Sequence, residues 1–284
     1  MNITAETDSI TEKLSSCSFD LEDTLEFMKE TAISAGRLAE SIRANSALYT
    51  VEKKDTDFDL VTTADKEVEK LIFTRIMQKY PSHSILGEES GLCGKNDPFQ
   101  WIIDPIDGTT SFVHESPNYS ISIGLQYEGQ GIAGVVYAPF FNELFYAVKG
   151  KGAYCNGRKI HVTDHATLSE SLVATGFACL RAKWQDNNLP YFNMIAPLVR
   201  DIRRYGSAAI DFCWVACGRL DAYWELNLQK YDYAAGEVIL REAGGSCTDL
   251  SGGNDTEHKG TLASNGLLGD VLLPFFASYR ATRK

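Results

Sequence analysis

Two stretches near the start of the chain repeat apolar side chains at the three- and four-residue spacing of an amphipathic helix. Residues 20–45 and residues 64–80 both show this pattern, which predicts two helices. The second helix begins with Thr62 and Asp65 in the order of a capping box, and Pro81 ends it. We therefore expect a helical pair ahead of the first strands.

The middle of the chain changes to short apolar runs and then to alternation. Residues 84–87 and 101–104 are short apolar runs, which are typical of buried strands. Residues 119–127, 131–138 and 143–149 alternate apolar and polar side chains, and glycines lie between the first two. This pattern predicts an antiparallel β-meander.

Beyond about residue 160, helical and strand-like patterns alternate. The predicted strands are 172–177, 221–226, 245–250 and 261–265, and the predicted helices are 187–200, 231–245 and 266–280. Residues 1–17 are polar, and we expect them to be disordered. The order of elements predicts a layered α/β (α+β) fold in which halves 18–160 and 161–284 pack closely together.

The composition and charge of the chain limit the binding partners and the cellular compartment that we expect. The chain has 284 residues, and its net charge of −11 argues against nucleic-acid and membrane-surface binding. No apolar run approaches the ~20 residues of a membrane span, and the N-terminus lacks a signal-peptide pattern. Seven scattered cysteines, without a paired motif, indicate reduced thiols. We therefore expect a cytoplasmic protein with a small-molecule substrate.

Acidic residues fall at the ends of the predicted elements. Glu88 and Glu89 follow one apolar run, Asp104 and Asp107 follow the next, and Asp232 opens a helix. Carboxylates at strand ends and helix starts converge on one edge of an α/β sheet, where ligands usually bind. Such oxygen ligands suit Mg²⁺, with Mn²⁺ possible. The alternative is that these residues serve only as turns and helix caps.

The residues after Asp107 add a site for an anion. Gly108, Thr109 and Thr110 stand at a predicted helix start, where backbone N–H groups can bind a phosphate. No Ser/His/Asp or Cys/His nucleophile is evident, and the GxxxxGK[ST] pattern of a nucleotide-binding loop is absent. This combination points to metal-activated water attacking phosphorus.

Three motifs then resemble those of one family. DPIDGTT at 104–110, GEES at 87–90 and YDYAAGEVILREAGG at 231–245 are similar to motifs of the inositol monophosphatase family of magnesium-dependent, lithium-sensitive phosphatases. The resemblance covers about residues 20–275. It implies a single phosphatase domain over 18–284, built as an αβαβα sandwich with an antiparallel sheet in the first half and a mixed sheet in the second. It also implies a homodimer.

The resemblance implies the ligands of two to three metal ions. Glu88, Asp104 and the Ile106 carbonyl would hold the first ion, and Asp104, Asp107 and Asp232 would hold the second. Glu88 with waters would help to bind a third, weaker ion. The expected mechanism is in-line attack by metal-bound water, with the second ion stabilising the leaving alkoxide.

It also implies the residues that position water and substrate. Thr109, hydrogen-bonded to Asp65, would orient the attacking water together with Glu88. The N–H groups of Gly108 and Thr109 would bind the phosphate. The residues expected to meet the alcohol part of the substrate are Asp107, Ala208 and Glu225. The loop residues Asp59 and Lys54 are further candidates for organising the site.

Lys230, Tyr231 and Ser111 depart from the family pattern. The identity of the substrate therefore stays undetermined. Glu225 favours inositol 1-phosphate or a close polyol phosphate. Histidinol phosphate is the first alternative, and 3'-phosphoadenosine 5'-phosphate and fructose 1,6-bisphosphate are also substrates within the family. A further alternative is a dimeric scaffold or regulatory protein whose catalysis is secondary.

Overall fold

The computed structural model describes residues 19–45, 47–53, 60–94 and 97–281. The predicted disorder of residues 1–17 and the candidates Lys54 and Asp59 lie outside these ranges. Within them, no helix has the length and apolar character to cross a bilayer. The cysteines in the described part of the chain are free thiols.

The predicted long helices are present. The helices are α1 (Leu21–Ala44), α2 (Thr63–Lys79), α3 (Thr109–Val113), α4 (Ala178–Arg181), α5 (Asn188–Ile195), α6 (Ala208–Ala216), α7 (Lys230–Glu242), α8 (Thr256–Lys259) and α9 (Leu267–Ala281), with a 3₁₀ turn at Leu168–Glu170. Helix α2 starts with the predicted capping box of Thr62 and Asp65. Helix α5 ends earlier than residue 200, because Pro197 has no N–H to continue it.

Fifteen strands lie in the described ranges. They are β1 (Val51–Lys53), β2 (Leu60–Thr62), β3 (Ser84–Gly87), β4 (Gly91–Cys93), β5 (Phe99–Asp107), β6 (Ser120–Tyr127), β7 (Gln130–Ala138), β8 (Glu143–Val148), β9 (Gly152–Cys155), β10 (Arg158–Ile160), β11 (Leu172–Thr175), β12 (Asp201–Arg203), β13 (Ala222–Glu225), β14 (Ser246–Asp249) and β15 (Thr261–Ser264). β1 and β2 pair as a separate hairpin.

The first large sheet has the order β10-β9-β8-β7-β6-β5-β3-β4. Its pairs are antiparallel, as predicted, with the addition of one parallel pair between β3 and β5. In that pair Gly87, the last residue of β3, lies opposite Ile103, and β5 continues to Asp107. Glu88 therefore follows the end of β3, and Asp104 follows Ile103 on the neighbouring strand. The predicted strand 101–104 is longer than expected, because it includes both aspartates.

The second sheet has the order β12-β11-β13-β15-β14 and is mixed, as predicted. β11 pairs in parallel with β12 and β13, whereas β15 pairs antiparallel with β13 and β14. The carboxyl ends of β11 and β13 carry Thr175 and Glu225. Both residues thus reach one edge of this sheet.

The elements stack in five layers. Helices α1 and α2 cover one face of the first sheet, α6 and α7 lie between the two sheets, and α5 and α9 pack beyond the second. This is the predicted αβαβα sandwich. Because the middle helices contact both sheets, the predicted halves share a core of apolar side chains. The single domain over 18–284 stays a prediction.

A close approach in the middle layer places one acidic residue. Gly124 on β6 and Gly134 on β7 lie opposite each other beneath α7. A Cβ on Gly134 would lie 3.0 Å from Ala235 Cα, so only glycine permits this packing. Held this close to the sheet, the first turn of α7 brings Asp232 beside the end of β5.

Candidate metal and phosphate site

A β-bulge brings Asp104 and Asp107 to the same side of β5. Residues three apart in a regular strand point to opposite faces. The pairing of β5 with β6 shifts register between these two residues, at Pro105, which has no N–H for the ladder. Asp104 Oδ1 accepts a hydrogen bond from Ile106 N at 3.0 Å, which fixes the turn. Both carboxylates then line one cavity.

Asp232 completes a cluster of three carboxylates. One oxygen from each of Asp104, Asp107 and Asp232 lies within 4.8 Å of the others. Asp104 and Asp107 are buried and Asp232 is partly buried. Asp232 Oδ2 accepts from the N–H of Gln229 at 2.6 Å, which fixes the carboxylate at the start of α7.

The electrostatics of this cluster favour a positive partner. Burial raises the pKa of Asp104 and of Asp232 well above the usual range, and neighbouring carboxylates raise both further. The pKa of Asp107 rises to about 7, chiefly through burial, against hydrogen bonds that lower it. Like charges at this density are costly in a buried site, and divalent cations offset them. With the nearby Ile106 carbonyl, the donor set is all oxygen and fits Mg²⁺.

Glu88 lines the same cavity from the turn after β3. Its charge and its hydrogen bond to Asp104 add to the raised pKa of that residue. The turn is anchored by Glu69, which is 5% exposed and whose Oε2 accepts from Glu89 N at 2.8 Å. Glu69 was not predicted from the sequence, because an acidic residue on an amphipathic helix belongs to no motif of its own.

Thr109 joins the cavity to Asp65. Thr109 Oγ1 donates toward Asp65 Oδ1 at 3.3 Å and Ile106 O at 3.2 Å. Asp65 Oδ2 accepts from the N–H of Thr62 at 2.7 Å and from its hydroxyl at 2.6 Å. Burial raises the pKa of Asp65 to about 6, against these hydrogen bonds. Asp65 is fully buried and therefore acts on the cavity through Thr109.

Gly108 makes the turn into α3 with φ of 91°. A Cβ there would lie 2.8 Å from Asn118 O and 2.9 Å from Gly206 O, so glycine is required for both conformation and space. Gly108, Thr109 and Thr110 line the cavity at the start of α3.

The second half of the chain forms the opposite wall. Asp107 Oδ2 accepts from Ser207 Oγ at 2.6 Å and from Ala209 N at 2.7 Å, which ties the end of β5 to the start of α6. Glu225 accepts from Ala178 N at 2.7 Å and from the Tyr223 hydroxyl at 2.5 Å. With Ala208, these residues enclose a cavity of about 130 Å³.

The residues expected to bind metal, phosphate and alcohol line one cavity, and Asp65 reaches it through Thr109. The further candidates Asp59 and Lys54 lie outside the described residues. Lys230 lies outside the lining, and its Nζ donates to Gln100 Oε1 at 3.5 Å. Further lining residues were not predicted from the sequence: Arg204, Ser207, Asp211 and Tyr223. The one available signal was Asp211, a lone acid inside the apolar run SAAIDFCWVA.

Comparison with known proteins agrees with this geometry. The inositol monophosphatase family model matches residues 20–280. An inositol-1-monophosphatase of Synechocystis sp. is 46% identical over 255 residues, covering 87% of this chain and 86% of that protein. Nus factor SuhB of Escherichia coli K12 is 38% identical, covering 84% and 90%. The solved structure of inositol monophosphatase from Anabaena (Nostoc) sp. has a TM-score of 0.82 at 38% identity, covering 91% and 96%.

The sandwich of layers and the cluster of acidic residues define a class of metal-dependent phosphatase folds. Within that class, the chain belongs to the inositol monophosphatase family. The resemblance seen in the three sequence motifs is thereby confirmed.

Proposed function

We propose that this protein is a Mg²⁺-dependent phosphate monoester hydrolase acting on inositol 1-phosphate or a close polyol phosphate. The observation that carries the proposal is the cluster of Asp104, Asp107 and Asp232 oxygens in the cavity that the start of α3 also lines. The relative named inositol-1-monophosphatase, at 46% identity, supports the substrate. We call the cavity side with Glu88 and these three aspartates the metal end.

At the metal end, Glu88, Asp104 and the Ile106 carbonyl would hold one ion, and Asp104, Asp107 and Asp232 a second. Glu88 would contribute to a third, weaker one. Mg²⁺ supplies charge neutralisation of the phosphate and makes water a stronger nucleophile near neutral pH, and Mn²⁺ can do the same. Each carboxylate must be ionised to bind metal, so protons compete with the cation.

Thr109 positions the attacking water. Because its hydroxyl donates toward Asp65, its lone pairs are left to accept a hydrogen bond from that water. Glu88 would accept the second hydrogen bond and later the proton. Backbone N–H groups of Gly108 and Thr109 hold the phosphate so that the water faces phosphorus in line with the leaving oxygen.

The opposite side, which we call the alcohol end, comprises Ala208, Asp211, Tyr223, Glu225 and Arg204. Glu225 and the backbone at Ala208 would meet the hydroxyls of the leaving alcohol, together with Asp107. Histidinol phosphate is the alternative, because a carboxylate such as Glu225 can also bind an amine.

The deciding experiment is phosphate release from inositol 1-phosphate, histidinol phosphate, fructose 1,6-bisphosphate and 3'-phosphoadenosine 5'-phosphate. Each is measured with Mg²⁺ and with excess chelator, and again with Asp104→Asn. Preference for inositol 1-phosphate that disappears with chelator and in the variant supports the proposal. Preference for histidinol phosphate would replace the substrate, and activity that persists in chelator would sink the metal mechanism.

A second candidate function follows from the relatives named Nus factor SuhB, at 38–40% identity. By analogy with that name, this chain would serve mainly as a dimeric scaffold or regulatory partner. Glu88→Gln separates the two functions. If the variant abolishes phosphatase activity but the host phenotype of the deletion is still complemented, the scaffold role is the main one.

Four further expectations accompany the proposal. They are a homodimer, a cytoplasmic location, inhibition by lithium and no nucleic-acid or membrane partner. Light scattering of the purified protein tests the dimer, and phosphate release at increasing Li⁺ tests inhibition. Monomer mass or indifference to Li⁺ would contradict the respective expectation.

A further inference from the structure

One carboxyl group at the alcohol end has no role in the proposed mechanism. Asp211, in the first turn of α6, is 1% exposed and lines the cavity. Its Oδ1 is buried and has no hydrogen-bond partner among the residues that the structure describes. Buried polar groups in folded proteins are nearly always hydrogen-bonded, so a group of this kind points to a ligand.

The position of Asp211 assigns it to the alcohol part of a substrate. It lies three residues after Ala208 on α6, on the same helix face. The charged groups around it are Glu225 and Asp107, which disfavour its ionised form, and Arg204, which favours it. Two carboxylates nearby make this side of the cavity a poor place for a second phosphate group.

Both carboxylate oxygens of Glu225 are hydrogen-bonded within the protein, whereas Asp211 Oδ1 has no partner among the described residues. Glu225 Oε1 accepts from Ala178 N and Oε2 accepts from the Tyr223 hydroxyl. Of the two acids, Asp211 therefore has the larger unused hydrogen-bonding capacity. A carboxyl group beside other carboxylates can both donate and accept, which is what a hydroxyl group requires of its partner.

We infer that Asp211 and Glu225 together form a subsite for neighbouring hydroxyl groups of the leaving alcohol, and that Asp211 selects polyol phosphates over phosphates of alcohols without further hydroxyls. The inference rests on the proposed function and names the residue that gives it substrate preference. Burial also raises the pKa of Asp211 well above its usual range, and a neutral carboxyl suits a hydroxyl better than an ammonium group.

The test compares Asp211→Leu and Asp211→Asn with Asp270→Asn, an exposed carboxylate on α9, as the matched control. For Asp211→Leu we expect kcat/KM on inositol 1-phosphate to fall at least ~10-fold, while kcat/KM on phenyl phosphate stays within ~2-fold. Asp211→Asn, which keeps donor and acceptor atoms, should stay within ~3-fold on both substrates. Asp270→Asn should match the parent protein.

A substrate series identifies the contact itself. If Asp211 meets one hydroxyl, the loss in Asp211→Leu and the loss on the deoxy-inositol phosphate lacking that hydroxyl are not additive. Strictly additive losses for every deoxy analogue, or an equal loss on phenyl phosphate, would show a merely structural role and overturn the inference. So would selective loss on histidinol phosphate, which would indicate an amine.

Measurements of ligand binding and of thermal stability test the subsite independently of the hydrolase function. Myo-inositol with inorganic phosphate should raise the Tm of the parent protein and of Asp211→Asn, but not that of Asp211→Leu. Without ligand, Asp211→Leu should melt at or above the parent Tm, because it removes a buried unpaired carboxyl. If no substrate were turned over but the ligand raised Tm in the parent and in Asp211→Asn only, the hydrolase function alone would be refuted. Equal protection of parent and Asp211→Leu would refute the subsite.

Discussion

At the metal end of the cavity, most of the acids come from one stretch of chain, Glu88 to Asp107, and a bulge and two strand ends aim them at one point. At the alcohol end, Ala208 and Asp211 lie on α6, and Glu225 ends β13, the next strand of the chain. The acids of the metal end fall in short motifs that can be recognised in the sequence, although Asp232 joins them from α7. The residues of the alcohol end are single side chains within a buried helix and a buried strand.

This contrast indicates how the catalytic reaction and the preference for a substrate can depend on different residues of one fold. The metal end has little freedom to change, since each of its three aspartates also accepts a backbone hydrogen bond that fixes a turn or a helix start. At the alcohol end, one side chain can change without disturbing the bulge or the start of α3. We therefore expect substitutions at the metal end to abolish the reaction with all substrates, and those at the alcohol end to redistribute it among them.

The largest effect is expected from Asp104→Asn. The amide cannot supply the negative charge that binds a cation, so phosphate release should fall at least ~10³-fold with every substrate. The rise in Tm on adding Mg²⁺ should also shrink, because less metal is bound to the folded state. Scanning calorimetry with and without Mg²⁺ checks this, with Asp270→Asn as control. An unchanged Mg²⁺ shift would remove Asp104 from the metal site.

The metal-free protein should lose stability as the pH rises. The pKa of Asp107 is raised from 3.8 to about 7 by burial, and those of Asp104 and Asp232 are also raised. A raised pKa in the folded state favours folding below the unfolded pKa, and that contribution disappears as the pH passes the folded pKa. We expect a loss on the order of a few kcal/mol between pH ~4 and ~8.

Denaturant unfolding in chelator at several pH values measures this loss. Because other carboxyl groups titrate too, the informative quantity is the difference between the parent protein and Asp104→Asn. The variant should lose less free energy of unfolding over the same interval. Parallel curves would contradict the prediction. Activity in the presence of Mg²⁺ should change in the opposite direction. It should rise with pH, because protons leave the carboxylates that bind the metal.

Gly108→Ala tests the turn between the two ends. With φ of 91° and a Cβ 2.8 Å from Asn118 O, alanine should cost about 1–3 kcal/mol of unfolding free energy and lower activity on all substrates. Gly129→Ala is the matched control, since its φ is 79° but its Cβ would meet open space. Urea unfolding of both variants should show the larger loss at Gly108. Equal losses would mean that backbone conformation alone matters.

Thr109 should have a moderate effect on the chemical step. Removing its hydroxyl in Thr109→Ala leaves the water without the group that Asp65 orients, so kcat should fall ~10–100-fold with little change in KM. Thr109→Ser keeps the hydroxyl and should restore most of the rate. Steady-state kinetics with inositol 1-phosphate and phenyl phosphate checks both variants. A change confined to KM would instead assign Thr109 to binding.

The smallest and most selective effect is expected at Glu225. Glu225→Gln should lower kcat/KM on inositol 1-phosphate ~10-fold and leave phenyl phosphate within ~2-fold, because it weakens hydroxyl recognition alone. Parallel assays with both substrates measure the ratio. If the two rates fell together, Glu225 would belong functionally with the metal end, and the contrast between the ends would fail.

Most elements of the fold could be predicted from local patterns. Helices 20–45 and 64–80 and the strands of the meander are observed within a few residues. β1 was not predicted, because Val51–Lys53 are exposed and show no alternation. The parallel pairing of β3 with β5 was not predicted either, since pairing depends on contacts between residues distant in the chain rather than on either strand alone.

The amino-acid sequence alone determined the acids at the strand ends, the Gly-Thr-Thr turn after Asp107 and the family they identify. Those features depend on local backbone geometry and on motif residues close together in the chain. Only the tertiary structure decided that Glu69 anchors the Glu88 turn and that Asp211 lies unpaired beside the cavity. The physical reason is that hydrogen-bond satisfaction depends on which elements meet, and the sequence around a single acid on a helix does not specify its partners.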